Sequence, residues 1–398
     1  RPAPGLLTAG DVDDHLNYEY FLGWLGRSLV SEQRQRLIGD LDLADRVTVR
    51  IVDRVGAPVA NAQVRVEASG GRRAGGLVTQ AGTDGRLELF PTYDFGQGVR
   101  DLELSVTLAG QRGATEERIR LNRLGADREV TIRLAGDAPG RTRQMDIAFT
   151  IDVTGSMGDE LNYLTEEFQS IVERLKSRYD GVDLRFGLVA YRDQGDEFVV
   201  RDYPFTSDIQ RMQGQLSDLR ASGGGDYPEA MDEAFRAALD LDWRPGATRL
   251  LFLVADAPPH DGNIDDMMAH VRRARASGVR VYPLAASGVA ETAEVVMRTA
   301  AALTQGRHLF LTDDSGIGRS HQEPKVECFV VTKLNDLLVR VIASEIEGRR
   351  VEPSRREVIR EVGDYDAGVC ESQPFAQQGP QISPRGRDEL GGYLTPSE

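Results

Sequence analysis

The sequence has few of the residues that several classes of protein require. Its 398 residues include only two cysteines and five histidines, and the formal net charge is -15 at pH 7. Nucleic acids bind clustered lysine and arginine side chains, so we expect this acidic chain to have no nucleic-acid partner. No apolar run approaches the roughly 20 residues that a helix needs to cross a bilayer. We therefore expect no transmembrane segment in this chain.

The two cysteines, Cys328 and Cys370, flank a helix-like segment at residues 333–346. No further cysteine or histidine stands at the spacing of a zinc site. In an oxidising compartment the pair would form a disulfide, which contributes about 4 kcal/mol of stability in the chain-entropy description. In the cytosol both would remain thiols. The sequence favours the disulfide and leaves the reduced pair open.

Residues 46–135 alternate apolar and polar side chains, as in VTVRIV, AQVRVEAS and EVTIRL. The runs are short and are separated by Gly, Pro and Asp, which is typical of antiparallel strands joined by turns. This part of the chain is therefore predicted to form a small antiparallel β-sandwich.

The same residues resemble a known type of module. VTVRIVDRVGAPVANAQVRVEA followed by AGTDGRLELFP is similar to the prealbumin-like (carboxypeptidase-regulatory) and Cna-B-like modules that are common on secreted bacterial proteins. Some of those modules contain a Lys–Asn cross-link. The lysines of this chain are Lys176, Lys325 and Lys333, all outside the module, so that cross-link is excluded here. We expect the module to serve as a spacer.

Oxygen-bearing side chains follow a predicted buried strand in the sequence MDIAFTIDVTGSMGDE, residues 145–160. The strand runs into a turn that contains Asp152, Thr154 and Ser156, and a helix-like pattern begins near Asp159. Side chains at alternate positions of such a turn can face one point, and hard oxygen donors suit Mg²⁺, Mn²⁺ or Ca²⁺. Taken alone, the pattern is equally typical of a capped helix.

Two later motifs favour the metal interpretation. RLLFLVAD is another apolar strand that ends in a carboxylate, Asp256, and a Pro-rich turn follows it. Between the two strands, SGGGDYPE is a glycine-rich loop that contains Asp226 and opens a predicted helix. Carboxyl ends of parallel strands collect ligands in α/β sheets, so these motifs are expected at one edge.

In this order and spacing, the three motifs resemble the von Willebrand factor type A (vWA) domain and its metal-ion-dependent adhesion site, over about residues 140–350. The resemblance implies an α/β fold with a doubly wound, mostly parallel, Rossmann-like sheet. It also implies one divalent cation (Mg²⁺, Ca²⁺ or Mn²⁺) held by five residues: Asp152, Thr154, Ser156, Asp226 and Asp256. Many members have threonine where this chain has Asp226, so direct coordination and coordination through water both stay open.

The wording DVTGSM, AYRD and GGGDYPEA is similar to the vWA subgroup also found beside atypical α-kinase domains, although this sequence contains no kinase module. Asp193 follows the strand LRFGLVAY, and His260 lies just after Asp256. Both are candidates to lie next to the metal-coordinating residues and to orient them without binding the metal themselves. The alternative for His260 is an ordinary histidine in a surface turn.

The two ends of the chain have different character. Residues 1–45 are predicted to dock on a neighbouring domain through the aromatic side chains Tyr18, Tyr20, Phe21 and Trp24. Their acidic run lacks the glycine and glutamate of an EF-hand, so we expect no such loop. Residues 351–398 are predicted to be an extension that is tethered at Cys370. Because its last part is rich in Gln, Pro, Gly and Ser, that part is expected to be flexible.

These patterns predict a protein-binding or adhesion protein outside the cytoplasm, which takes an Asp or Glu of a partner protein onto its cation. The alternative is a scaffold, or an accessory subunit of an envelope or ATPase-driven assembly, in which the cation is structural. Ser156 is better explained as a ligand than as a nucleophile, since no histidine has the sequence context of a triad. We therefore expect no enzymatic activity.

Overall fold

The computed structural model describes residues 6–29, 41–73, 75–108, 113–137, 143–225, 227–286, 289–316 and 323–371. Within these residues the helices are α1 Tyr18–Ser28, α2 Pro91–Phe95, α3 Gly158–Arg178, α4 Ile209–Asp218, α5 Met231–Leu239, α6 Ile264–Ala276, α7 Glu291–Thr304 and α8 Leu334–Glu347. Single 3₁₀ turns occur at Leu121–Arg123, Gly155–Met157, Asp261–Asn263 and Asp313–Ser315. The flexible tail predicted for the end of the chain lies almost wholly outside the described residues.

The strands of the described residues fall into one large and three small sheets. The first eight are β1 Thr8–Val12, β2 Val47–Val52, β3 Gln63–Ser69, β4 Leu77–Gln80, β5 Arg86–Leu89, β6 Asp101–Thr107, β7 Thr115–Arg120 and β8 Glu129–Arg133. The next five are β9 Gln144–Asp152, β10 Asp183–Tyr191, β11 Val200–Thr206, β12 Thr248–Ala255 and β13 Val279–Ala285. The last five are β14 His308–Thr312, β15 Phe329–Lys333, β16 Arg360–Val362, β17 Tyr365–Asp366 and β18 Val369–Cys370.

The large sheet has nine strands in the order β11-β10-β9-β12-β13-β14-β1-β15-β16. Its centre, from β10 to β14, is parallel, and its remaining pairs are antiparallel. Successive residues of β9 face opposite sides of the sheet, so Ile147 and Phe149 pack beneath α3, α4 and α8, whereas Ala148 packs beneath α1, α5, α6 and α7. The predicted doubly wound α/β fold is confirmed.

The N-terminal segment supplies a strand to this sheet. β1 lies between β14 and β15 and pairs antiparallel with both. Gly10 stands opposite Phe310, and a Cβ on Gly10 would lie 2.7 Å from the ring of Phe310, so a larger residue would force the strands apart. The aromatic residues Phe21 and Trp24 of α1 are buried in the adjoining core. The segment is therefore part of the domain that it was predicted to contact.

Arginine side chains neutralise the acidic run of this segment. Asp11 is buried, and its carboxylate accepts from Arg307 at 2.9 Å and from Arg350 at 3.1 Å. Asp14 accepts from Arg298 at 3.0 Å, and that guanidinium lies over the ring of Trp24. Asp11 and Asp14 thus each have a structural counter-charge.

Two small sheets, β5-β2-β8 and β4-β3-β6-β7, enclose an apolar core that is separate from the two cores on the faces of the large sheet, among the described residues. All pairs are antiparallel except β2 with β8, which runs parallel. The antiparallel prediction therefore fails for that one pair, which joins the first and last strands of the module. The likeness to prealbumin-like and Cna-B-like modules stays a prediction.

Buried arginines fix the β-sandwich to the α/β domain. Arg275, at the end of α6, donates to the carbonyl of Glu88 at 2.8 Å and pairs with Asp94. Arg280, at the start of β13, donates to Glu345 at 2.8 Å and to a carbonyl of the sandwich. Breaking such buried pairs is costly, so these contacts stabilise the junction. It lies at the amino ends of the parallel strands, away from the edge where the metal motifs end.

Cys328 and Cys370 form a disulfide, with their Cα atoms 5.4 Å apart. The bond joins the residue before β15 to the end of β18. It confirms the paired alternative and ties the C-terminal extension to the large sheet. No helix among the described residues has the length and apolar character that a membrane crossing demands.

Candidate metal-binding site

Three neighbouring parallel strands bring the predicted site residues to one edge of the sheet. β9 ends at Asp152, and β12 ends one residue before Asp256. β10 ends at Tyr191, which lies opposite Asp152 in the register, and Asp193 follows shortly after. The carboxyl ends of parallel strands meet at the same edge, so residues that are far apart in the chain become neighbours here.

The Asp-x-Thr-x-Ser motif folds into a compact turn. Asp152 is fully buried, and its Oδ1 accepts hydrogen bonds from the Thr154 amide at 2.8 Å and from the Thr154 hydroxyl at 2.7 Å. The Oγ atoms of Thr154 and Ser156 lie 3.3 Å apart. The second oxygen of Asp152 is buried and accepts no hydrogen bond from the described residues. The three motif residues are thus together, with one carboxylate oxygen left over.

The glycine-rich loop lies against this turn. The Gly155 amide donates to the Gly223 carbonyl at 3.1 Å, which joins the two loops through their backbones. Gly224 has a φ of 74°, in the region that favours glycine. A Cβ there would lie 2.9 Å from Glu229 Oε1 and 3.2 Å from Thr154 Cβ. The loop therefore needs glycine at this position to approach the turn.

Glu229, which follows the glycine loop, is a site residue that the sequence analysis did not assign. Its side chain is buried, and its Oε2 has no hydrogen-bond partner among the described residues. Burial, and then the negative charges of Asp152, Asp193 and Asp256, raise the pKa of Glu229 to about 9. Its only sequence signal was its place in GGGDYPEA, where a carboxylate follows the proline that opens the helix.

Like charges accumulate at this edge of the sheet. Burial, and then the charge of Asp256, raise the pKa of Asp152 to about 7, although the hydrogen bonds from Thr154 oppose this shift. Asp256 itself is buried. A buried set of carboxylates is unfavourable unless protons or a cation neutralise it. The electrostatics of the site therefore fit a bound cation.

Asp193 and His260, both expected to support the site, contact each other. His260 Nε2 lies 2.6 Å from Asp193 Oδ1, and the Asp193 side chain is buried. The charge of Asp193 raises the pKa of both Asp152 and Glu229, which places it beside the cluster. His260 thus lies next to the site, where its hydrogen-bond partner is Asp193.

Not all of the predicted ligands can be placed. Asp226 lies outside the described residues, so its role stays a prediction. Among the residues that the structure describes, no three His, Cys, Asp or Glu side chains form a compact metal-ligating group. The predicted set has two carboxylates in the described part, Asp152 and Asp256, and depends on the hydroxyls of Thr154 and Ser156 for further donors. Oxygen donors of this kind, with one unpartnered carboxylate oxygen, fit Mg²⁺, Mn²⁺ or Ca²⁺.

Comparison with known proteins identifies the part of the chain that contains this site. Residues 146–309 match the family model described as the von Willebrand factor A domain. The alpha-protein kinase vwkA of Dictyostelium discoideum is 26% identical over 195 residues, which cover 48% of this chain and 29% of that protein. Hemicentin-1 of Homo sapiens is 32% identical over 29% of this chain and 2% of its own length.

Two further similarities are of the same kind. The human von Willebrand factor A domain-containing protein 7 is 30% identical over 34% of this chain and 14% of its own length. The matches thus span less than a third of these curated relatives. A solved structure, of an aerotolerance-related membrane protein from Bacteroides fragilis, is 17% identical and covers 54% of this chain and 93% of its own. Its TM-score of 0.28 is too low to compare the two folds.

Proposed function

We propose that this chain, which contains a von Willebrand factor A domain over residues 146–309, binds a partner protein through a divalent cation at the ends of β9 and β12. One observation supports this most directly. The buried Asp152 has an oxygen without a hydrogen-bond partner in the described part of the chain, and it lies among carboxylates that raise its pKa. A proton or a cation can neutralise such a carboxylate, and we propose that a divalent cation does so here.

The residues that would hold the cation are Asp152, Thr154, Ser156 and Asp256, together with Asp226 from outside the described residues. A bound Mg²⁺, Ca²⁺ or Mn²⁺ would supply positive charge and a coordination position for a further carboxylate. Thr154 and Ser156 contribute neutral hydroxyls, so carboxylates of this chain do not fill every coordination position of the cation. An Asp or Glu side chain of the partner would occupy a remaining position.

The relatives support a binding role in general terms. Proteins that match this region carry names as different as an alpha-protein kinase, a hemicentin and a von Willebrand factor A domain-containing protein. The matched segment is a small part of each, which favours a shared interaction module over a shared enzymatic activity. We assign protein interaction or adhesion to the domain on this basis.

The contacts of Ser156 and His260 favour a site without catalysis. Ser156 Oγ lies beside Thr154 Oγ1, and His260 Nε2 lies beside Asp193 Oδ1. Neither is arranged toward the other as a nucleophile and its base would be. The disulfide favours an extracytoplasmic location, because such bonds persist in oxidising compartments.

The test is retention of partner proteins on the immobilised full chain, in Mg²⁺ and in EDTA. Ser156→Ala removes one proposed donor, and Asp202→Ala, an exposed residue of β11, serves as the matched control. We expect retention by the parent and by Asp202→Ala in Mg²⁺ only, and its loss when the partner's carboxylates are amidated. Retention that survives EDTA and Ser156→Ala would contradict the proposal. Cation binding without any retained partner would favour the scaffold alternative.

A further inference from the structure

Tyr227, in the glycine-rich loop, exposes a large aromatic side chain at the candidate metal site. The residue is 43% exposed. In the part of the chain that the structure describes, the other exposed large apolar residues lie before β1, in the β-sandwich or in the segment after α8. They are Leu6, Val55, Val78, Ile359 and Val369. Of this set, Tyr227 is therefore the residue that lies next to the metal motifs.

Two hydrogen bonds hold the hydroxyl group of Tyr227. It donates to the main-chain carbonyl of Asp256 at 3.1 Å and accepts from the amide of Ala290 at 2.6 Å. The loop that carries the other end of the side chain is also held, because the amide of Glu229 donates to the carbonyl of Pro258 at 3.0 Å. A side chain that is fixed in this way loses little conformational entropy when a ligand packs on it. The ring is therefore preorganised as a contact surface.

The ring lies close to the proposed cation ligands. Tyr227 directly follows Asp226 in the chain, and its hydroxyl contacts the main chain of Asp256. The loop before it has little bulk that would keep a partner away, because residues 223–225 are exposed glycines. A Cβ at Gly225 would meet no atom of the described residues within 4 Å. A partner that places a carboxylate on the cation can therefore reach the ring as well.

The chemistry of the ring determines which part of the partner it contacts. The face of an aromatic ring carries partial negative charge, so it does not attract the partner's carboxylate itself. A cationic side chain would be repelled by a dication bound close by. An apolar group is favoured, because contact with the ring removes apolar surface of both from water. The ring thus favours an apolar group next to the carboxylate.

We propose that Tyr227 is a specificity-determining residue of the candidate site, and that it packs against an apolar side chain beside the Asp or Glu that the partner gives to the cation. This inference rests on the proposed function, since the cation fixes where the partner's carboxylate lies. Aromatic residues that are held rigidly are frequent anchors of protein interfaces. The partner is thus recognised by two neighbouring groups, one anionic and one apolar.

Two small carboxylates serve as probes: acetate, which has little beyond the anionic group, and 3-phenylpropionate, which adds a ring. Titration of each into the full chain, followed by NMR at saturating Mg²⁺ and again in EDTA, gives the affinities. We expect the parent to bind 3-phenylpropionate about tenfold or more tightly than acetate in Mg²⁺, because the added ring is buried against Tyr227. It should bind neither in EDTA. In Mg²⁺, 3-phenylpropanol, which lacks the carboxylate, should show no binding.

Tyr227→Ala should bind both probes with the affinity that the parent has for acetate. Tyr227→Phe keeps the ring and removes the hydroxyl, so it should keep most of the preference for 3-phenylpropionate. Val78→Ala is the matched control, because Val78 is also 43% exposed and lies in the β-sandwich. It should keep the full preference. The ratio of the two affinities is compared within each variant, so a change in cation affinity affects both probes alike.

The outcomes separate this inference from the proposed function. Equal affinity for the two probes in the parent, or an undiminished preference in Tyr227→Ala, would overturn the inference and leave the proposed function standing. Failure of the proposed function gives a different result, in which neither carboxylate binds in Mg²⁺ or both bind equally well in EDTA. The inference then fails with it.

Discussion

The two ends of β9 carry one buried carboxylate each, and their surroundings are opposite. Asp146, at the start, accepts two hydrogen bonds from the guanidinium of Arg185, at 3.0 and 2.7 Å, and two more from Arg244. Asp152, at the end, receives only the amide and hydroxyl of Thr154 among the described residues. Burial opposes ionisation at both, yet the arginines lower the pKa of Asp146 and the neighbouring carboxylates raise that of Asp152 to about 7.

This difference separates a structural carboxylate from one that we propose to be functional. Burial by itself does not, since both side chains are inaccessible to solvent. What differs is whether the fold supplies the counter-charge: at Asp146 it does, and at Asp152 it does not. Carboxylates with strongly shifted pKa values and no neighbouring positive charge are found most often at functional sites. The comparison makes quantitative predictions, because each end of the strand can be altered alone.

The largest effect is expected from neutralising the carboxylates one at a time. Asp146→Asn leaves Arg185 and Arg244 without their anion and should lower the free energy of unfolding by about 3 kcal/mol. Asp152→Asn removes a charge from a like-charged cluster, so in EDTA it should leave stability unchanged or raise it. Urea denaturation in EDTA measures both. Equal losses in the two variants would show that the ends of β9 do not differ as described.

The pH dependence of stability should also differ between the two ends. In the unfolded chain Asp152 and Glu229 titrate near 3.8 and 4.5, whereas burial and like charges raise their folded pKa values to about 7 and about 9. Between these values the folded state holds protons that the unfolded state has lost, so stability in EDTA should fall as pH rises from about 5 to about 9.

The contribution of Asp146 to stability changes with pH in the opposite direction. Its pKa is lowered, so its contribution is present above 3.8 and is lost as the solution is acidified below that value. Melting temperatures measured in EDTA, from acid to alkaline pH, report both the loss of stability at low pH and the loss at high pH. Glu229→Gln should reduce the loss of stability at alkaline pH and leave the loss at acid pH unchanged. If the loss of stability at alkaline pH is the same in Glu229→Gln as in the parent, other groups cause that loss.

A smaller effect is expected from the glycine loop. Gly224→Ala places a methyl group 2.9 Å from Glu229 at a φ of 74°, and it should weaken cation binding about tenfold with a stability loss of about 1 kcal/mol. Gly225→Ala is the matched control, because a Cβ at Gly225 meets no atom within 4 Å. Calorimetry with Mg²⁺ compares the two. Similar affinities for the two variants would mean that the close approach at Gly224 has no role in the site.

The smallest effect is expected at His260. His260→Ala removes the hydrogen bond to Asp193 and should reduce cation affinity by less than about tenfold, because Asp193 acts through its neighbours. His270→Ala, on α6, should have no effect. A loss as large as that of Asp152→Ala would instead identify His260 as a direct ligand.

Local patterns in the sequence predicted the elements that local physics determines. The strand before Asp152, the turn with Thr154 and Ser156, and the alternating strands of residues 46–135 depend on residue order and spacing alone. The doubly wound fold followed from these motifs together with the family resemblance. The disulfide between Cys328 and Cys370 was the favoured alternative, because the two cysteines allow one pairing, although the sequence left the reduced pair open.

What escaped prediction depends on contacts between distant residues. The sequence of β1 gives no sign of its position between β14 and β15, because that position depends on pairing between residues as far apart as Thr8 and Thr312, which are separated by 304 positions. Apart from its place in GGGDYPEA, Glu229 carries no sequence sign of its burial near Asp152. The parallel pairing of β2 with β8 is likewise a property of the closed module and not of either strand.

Calorimetric titration of Mg²⁺, Ca²⁺ and Mn²⁺ into metal-stripped protein tests the central claim most directly. The proteins compared are the parent, Asp152→Ala and the surface control Asp202→Ala. If the uncompensated carboxylate at the end of β9 is a cation ligand, the parent and Asp202→Ala will bind at least one cation at a single site, and Asp152→Ala will bind none. Equal binding in Asp152→Ala, or no binding in the parent, would contradict the account.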